Sequence, residues 1–202
     1  GIIFGAKTQG GYAEYVTAPT SQVYPKPKNL SFIEAAAFPL CFLTAWHMLV
    51  TRAQLKKGET VFIWGASGGL GSAGIQIAKH IGARVIAAAR NEEASQRIMQ
   101  MGAHETVVYS HGKVVEDVKL ITRNQGVDVV LESVGAKTWE TSLNMLKPHG
   151  RVVIAGTTSG DITTQDISEV YYRQLSILGC RMGYAHELEK ILEWVEKGKL
   201  KP

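Results

Sequence analysis

The residues with the clearest chemical purpose are the glycines of Gly65-Ala66-Ser67-Gly68-Gly69-Leu70-Gly71. They follow an apolar run, Val61-Phe62-Ile63-Trp64, and open onto a stretch of helical period leading to a second apolar run, Val85-Ile86-Ala87-Ala88. Strand, glycine turn, helix and strand within about 30 residues is the setting in which such a motif grips a pyrophosphate. Gly68 has no side chain, so backbone can approach a diphosphate, and Gly71 lets the helix lie tight against the first strand. Ala66 stands where the commonest form of this fingerprint has its first glycine. Amides at the head of the helix have no intrahelical acceptors, and the helix dipole favours an anion there by roughly 0.3–1 kcal/mol. The weaker reading is that the glycines only make a tight turn. No lysine follows in the GxxxxGK[ST] arrangement, which counts against a mononucleotide P-loop.

Elements that could position this turn follow in a regular rhythm from Gly58 onward. Strands are expected at Glu59–Trp64, Arg84–Ala88, Thr106–Tyr109, Asp128–Glu132, Arg151–Ala155 and Ser176–Arg181. Helices are expected at Leu70–Ile81, Glu92–Met101, Val114–Arg123, Thr138–Met145 and Ile167–Arg173, bounded by turn residues such as Gly82, Gly102, Gly126 and Pro148-His149-Gly150. The alternation predicts an α/β Rossmann fold, a doubly wound parallel six-stranded sheet of order 3-2-1-4-5-6. Residues 1–40 break the rhythm. Gly10-Gly11-Tyr12-Ala13-Glu14-Tyr15-Val16 reads as a strand, and the prolines of Tyr24-Pro25-Lys26-Pro27-Lys28 exclude helix. Ser31 and Glu34 form a capping box for one helix, and a second is expected after Pro39, through Trp46 to Ala53.

Composition sets the outer bounds. With 202 residues, 45% of them hydrophobic, the chain can bury a full core. Its net charge of +4 comes from scattered residues with acids among them, so neither nucleic acid nor a membrane is expected as a partner. No signal peptide and no apolar stretch near 18 residues is read, and a cytoplasmic location is expected. Cys41 and Cys180 lie far apart with no CxxC, which fits a reducing interior. Gly1 is not an initiator methionine, so the sequence is read as part of a longer chain.

Several spaced segments carry a resemblance. Gly10-Gly11-Tyr12-Ala13-Glu14-Tyr15-Val16, Ala35-Ala36-Ala37-Phe38-Pro39-Leu40 with Leu43-Thr44-Ala45-Trp46, the glycine turn, Gly126-Val127-Asp128-Val129-Val130 and Gly150-Arg151-Val152-Val153 occur in this order. The chain resembles the medium-chain dehydrogenase/reductase superfamily, in particular zinc-type alcohol dehydrogenase-like proteins and their quinone reductase relatives. That resemblance implies a GroES-like catalytic domain, of which residues 1–40 would be a remnant, and a cofactor domain over residues 41–202 closed by a C-terminal helix. It implies an oxidoreductase moving a hydride between a nicotinamide dinucleotide and an alcohol, carbonyl or quinone. The zinc-dependent alcohol reaction is the first expectation, with a zinc-independent quinone or enone reductase and a non-catalytic nucleotide-binding module as alternatives. As a free fragment the chain is expected to bind cofactor and turn over little.

Carried over by position, Thr44 matches a threonine beside the nicotinamide, and Ala66, Ser67, Gly68, Gly69, Leu70 and Gly71 match the pyrophosphate turn. Ser133, Val134 and Gly135 match the loop after the fourth strand, and Ala155, Gly156 and Thr157 the loop after the fifth. Ala89, Arg90 and Asn91 stand at the end of the second strand, where an NAD-specific site usually places a carboxylate for the ribose hydroxyls. Without that carboxylate a 2′-phosphate is not repelled, and a guanidinium can bond it in a bidentate manner, so NADP(H) is favoured with NAD(H) still possible.

No residue is assigned a catalytic or metal-ligating role. The resemblance places one zinc ligand four residues before Thr44, which is Leu40, and Cys41 is one place out of register, about 100 degrees around a helix. Whether zinc is used stays open. His47, His80, His104, His111, His149 and His186 show no metal-ligand spacing and are expected at the surface or as caps. Tyr109 and Lys113 have YxxxK spacing but straddle a strand end and a glycine, so they are read as chance. The last strand, within Gln174–Cys180, would leave an open sheet edge, the expected seam of a homo-oligomer.

Overall fold

The computed structural model describes residues 11–202. The apolar runs become strands β1 (Thr60–Ile63), β2 (Arg84–Ala89), β3 (Glu105–Val108), β4 (Val127–Glu132), β5 (Leu146–Ile154) and β6 (Ser176–Gly179). All neighbours pair in parallel, in the order β3-β2-β1-β4-β5-β6, which is the expected doubly wound arrangement. The central registers align Val61 with Val85 on one side and with Val129 on the other. Because both faces of a parallel sheet are covered, its inner strands carry nearly continuous apolar residues rather than alternation.

Helices α1 (Phe32–Trp46), α2 (Gly69–Ile81), α3 (Glu92–Met101), α4 (Val114–Ile121), α5 (Trp139–Asn144), α6 (Ile167–Tyr172) and α7 (Ala185–Glu196) cover the sheet. One apolar layer joins α1, α2, α3 and α7 to the sheet through Phe38, Leu49, Ile63, Ile75, Ile77 and Ile191. The other joins α4 and α5 through Phe62, Ile86, Val118, Val130, Leu143 and Val152. Gly82 and Gly102 end α2 and α3 with φ of +88° and +113°, a left-handed close that glycine adopts without strain.

Four expectations about the chain's segments are corrected, and a fifth concerns a histidine. Gly11–Val16 form no strand, and Tyr12, Tyr15 and Val16 are exposed. Alternation alone does not hold a strand without a neighbour to receive its hydrogen bonds, and Gly10 lies outside the described residues. The two helices expected around Pro39 are one: α1 runs through Pro39 and continues as a π-helical segment, His47–Arg52. An interior proline costs about 3 kcal/mol, but Phe38 lies before it and Phe42, Leu43 and Trp46 after it, all buried on the same core. The resulting run, Phe32–Arg52, has 21 residues and a mean hydropathy of 1.5, so by length and composition it does reach that of a membrane span. Here Phe38, Phe42, Leu43, Trp46, Met48 and Leu49 are buried in the core, whereas Phe32, Ile33 and Leu40 are exposed. Finally, β5 starts at Leu146, passing through Pro148-His149-Gly150, because Leu146 already pairs with Val127 before a register shift.

His47 is also not at the surface: it is 6% exposed, and its Nδ1 lies 2.9 Å from Oε1 of Glu187 on α7, itself 2% exposed. Glu187 also accepts from the Thr51 hydroxyl and, at 2.6 Å, from the Tyr184 amide. Burial pushes the Glu187 carboxyl up, yet these hydrogen bonds and His47 outweigh it, leaving its pKa below the ordinary 4.5. A depressed carboxyl stabilises the fold above its unfolded pKa and ceases to as pH falls through its folded one. In urea unfolding, Glu187→Gln is therefore expected to be less stable than wild type by about 1–3 kcal/mol at pH 7. That gap should narrow as pH drops below the ordinary 4.5. A gap independent of pH would mean that the ionised form is not the one held.

Candidate functional site

The glycine turn projects from the carboxyl end of β1, between β2 and β4, where strand order reverses. Gly65, Ser67, Gly68 and Gly69 are exposed, while Ala66 is fully buried beneath them. Gly65 has φ of +58°, and the Gly68 amide donates back to its carbonyl at 2.9 Å. That bond removes Gly68 N–H from the donors the turn offers outward. The amides of Gly69, Leu70 and Gly71, in the first turn of α2, have no intrahelical acceptor.

Contacts around the glycines explain their placement. A Cβ on Gly71 would lie 2.6 Å from the Ala66 Cα, so only glycine lets α2 begin this close to the turn. A Cβ on Gly69 would lie 2.7 Å from the sulfur of Cys41. Cys41 thus packs against the turn from α1, and burial pushes its thiol pKa up. One helical turn further along α1, the Thr44 hydroxyl donates to the Leu40 carbonyl at 2.8 Å, leaving its oxygen free to accept. Leu40 is half exposed.

The other predicted residues assemble at the same edge. Ser133, Val134 and Gly135 follow β4, and a Cβ on Gly65 would lie 3.3 Å from the Ser133 Oγ. Ala155, Gly156 and Thr157 follow β5, where the Ser159 amide donates to the Val134 carbonyl at 2.7 Å and joins the two loops. Arg90 is exposed just beyond β2, with Ala89 buried as the strand's last residue. Asn91 is engaged otherwise, since its Oδ1 caps α3 by accepting from the Ala94 amide at 2.9 Å.

Two features were not read from the sequence. Next to the turn lies a cavity of about 550 Å³ walled by Trp64, Gly65, Tyr109, Val134, Lys137 and Thr138. Tyr109 begins a short 3-10 turn ended by Gly112 at φ +71°, so Tyr109 and Lys113 share no helical face. Beneath the cavity Glu132 is wholly buried, and its Oε1 accepts from the amides of Val134 at 2.6 Å and Gly135 at 3.1 Å. Its Oε2 accepts from the Thr138 and Ser142 hydroxyls at 2.9 and 2.6 Å, and the Trp64 indole donates to Ser142 at 2.8 Å. The signal for Glu132 was an acid directly after the apolar run Val129-Val130-Leu131 of a central strand, a residue type that is almost never fully buried unless paired.

A family model described as zinc-binding dehydrogenase matches residues 69–197. This chain is a medium-chain dehydrogenase/reductase. Such membership agrees with the quinone oxidoreductase of Rattus norvegicus, 31% identical over 96% of this chain and 60% of the rat protein. A solved NAD-dependent alcohol dehydrogenase is 46% identical, with a TM-score of 0.95 over 100% of this chain and 59% of its own. A 2-octenoyl-CoA carboxylase reductase, CinF, solved with NADP and 2-octenoyl-CoA, is 30% identical with a TM-score of 0.81, over 89% of this chain and 44% of its own. The chain therefore spans well under two thirds of the length of these relatives.

As to zinc, no group of three or more His, Cys, Asp or Glu that could hold a metal occurs among the described residues of this dehydrogenase/reductase. Cys41 faces Gly69, and Leu40 offers no donor atom. The turn, by contrast, presents the first amides of α2, which have no intrahelical acceptors, beside the exposed backbone of Gly68 and Gly69. Gly71→Ala is expected to destabilise the chain by about 1–3 kcal/mol in urea unfolding, since backbone rather than a flexible side chain must move. Wild-type stability in that variant would show that α2 can start elsewhere.

Proposed function

We propose that this chain is the cofactor-binding part of an NADP(H)-dependent oxidoreductase that transfers a hydride to or from a small carbonyl, alcohol or quinone. The observation that carries the reading is the outward-facing glycine turn at the head of α2, with its amides free at the point where the sheet order reverses. Gly69 and Leu70 would donate to the pyrophosphate, and Gly68 would let it approach. The second half of the sheet would hold the nicotinamide half through Ser133–Gly135, Ala155–Thr157 and Thr44. When bound, the dinucleotide supplies the hydride chemistry, and the protein supplies orientation and exclusion of water.

Arg90 carries the preference for NADP(H): it is exposed beyond β2, with buried Ala89 where a carboxylate would stand. CinF, solved with NADP, supports this choice. The neighbour described as an NAD-dependent alcohol dehydrogenase favours NAD(H) as a second reading. For the substrate, the relatives named quinone oxidoreductase and the leucine at position 40 support zinc-independent reduction of a quinone or activated alkene over the zinc-dependent alcohol reaction. Residues 1–40 as a remnant of a GroES-like domain, pairing of two copies along the exposed β6 edge and a cytoplasmic location belong to the same reading.

Titration of the folded chain should give tighter binding of NADPH than of NADH, and Arg90→Ala should erase most of the difference. A bidentate phosphate contact of this kind contributes about 1.5–3 kcal/mol, or roughly tenfold or more in affinity. Equal affinities in the wild type would overturn the NADP(H) assignment, and no binding of either would overturn the oxidoreductase reading. With NADPH supplied, the longer parent protein is expected to reduce a quinone faster than an aldehyde. The reverse order, lost on chelation of zinc, would restore the alcohol dehydrogenase reading.

A further inference from the structure

We propose that Glu132 is a positioning residue for the nicotinamide half of the dinucleotide, acting through the loop Ser133–Gly135. The inference rests on the nucleotide reading above. A carboxylate at 0% exposure is costly unless its oxygens are hydrogen-bonded, and Glu132 meets that condition with four direct donors. Two of them are the consecutive amides of Val134 and Gly135, so the carboxylate holds the backbone of the loop itself. A carboxylate offers two accepting oxygens with about four lone-pair sites, whereas an amide or hydroxyl side chain offers a single accepting oxygen.

Opposite Glu132, the loop is held by the segment after β5. Ser159 N–H donates to Val134 C=O at 2.7 Å and Ala136 N–H to Gly160 C=O at 3.1 Å. Gly135 has φ of +93°, and a Cβ there would lie 2.6 Å from the Gly160 carbonyl oxygen, so glycine lets the loop pack this close to the segment after β5. Glu132 fixes its inner side, and through Ser142 it also fixes the Trp64 indole on the cavity wall. In a doubly wound sheet each half serves one mononucleotide. The loop after β4 opens the second half, so Glu132 governs the nicotinamide side, and the adenosine side is set independently by β2 and β3.

The test compares NADPH with 2′,5′-ADP, which carries only the adenosine side, on wild type, Glu132→Met and Glu132→Gln. Methionine keeps the length of the side chain and removes its acceptors, whereas glutamine keeps one oxygen for the two amides. Glu132→Met is expected to weaken NADPH about tenfold, the loss of one to two charge-assisted bonds, while 2′,5′-ADP changes less than about twofold. Glu132→Gln should restore NADPH to within about threefold, because its amide oxygen still accepts from both N–H groups at roughly half the charge-assisted strength. Unchanged NADPH binding in Glu132→Met, or equal weakening of both ligands, overturns the proposal. Single-residue hydrogen exchange in the wild type stands apart from folding of the variants: strong protection of Val134 and Gly135 amides is expected, and exchange at the rate of a free loop overturns it. Failure of the wild type to bind either ligand defeats the nucleotide reading and this inference together, whereas wild-type binding with an indifferent Glu132→Met defeats this inference alone.

Discussion

The close approach of α2 to the end of β1 is the constraint on which the rest depends. Gly71 abuts the Ala66 backbone, and that contact aims the first amides of α2 outward from the sheet's central crevice. The strands on either side, β2 and β4, pair with β1 along most of its length and leave its end little room to move.

Much of this was legible because local and long-range preferences agree. Apolar runs broken by Gly82, Gly102 and Gly126 could only alternate strand with helix, and once the connections were helical the sheet had to be parallel. The glycine turn was legible for the same reason, since the close packing of α2 at Gly71 and the approach to an anion expected at Gly68 each demand a missing side chain. Where the two kinds of preference conflict, the sequence misled. Pro39 argued for a break, and the buried residues on both sides of it overrode a local penalty. Tyr12 to Val16 alternated like a strand, but strand formation is a property of pairs.

Polar groups in the interior were the hardest to read. His47 pairs with a glutamate 140 positions away, and Glu132 gathers Ser142 from α5 and, through it, Trp64 just after β1. No spacing rule joins residues that meet only after folding. Their trace in the sequence is indirect: an acid at the end of an apolar strand, or a histidine inside an apolar helix, has to find partners or be excluded from the core.

The meeting of Cys41 with Gly69 has a consequence for how such proteins can diverge. The sulfur occupies the volume that a side chain at position 69 would need, so the two positions divide one small space between them. A side chain at 69 would press on the end of the Cys41 side chain, which would have to turn away to admit it, and contacting pairs of this kind respond to exchange non-additively. A larger side chain at one of the two positions is therefore accommodated more readily when the other changes with it, which ties 41 and 69 together as one unit of packing.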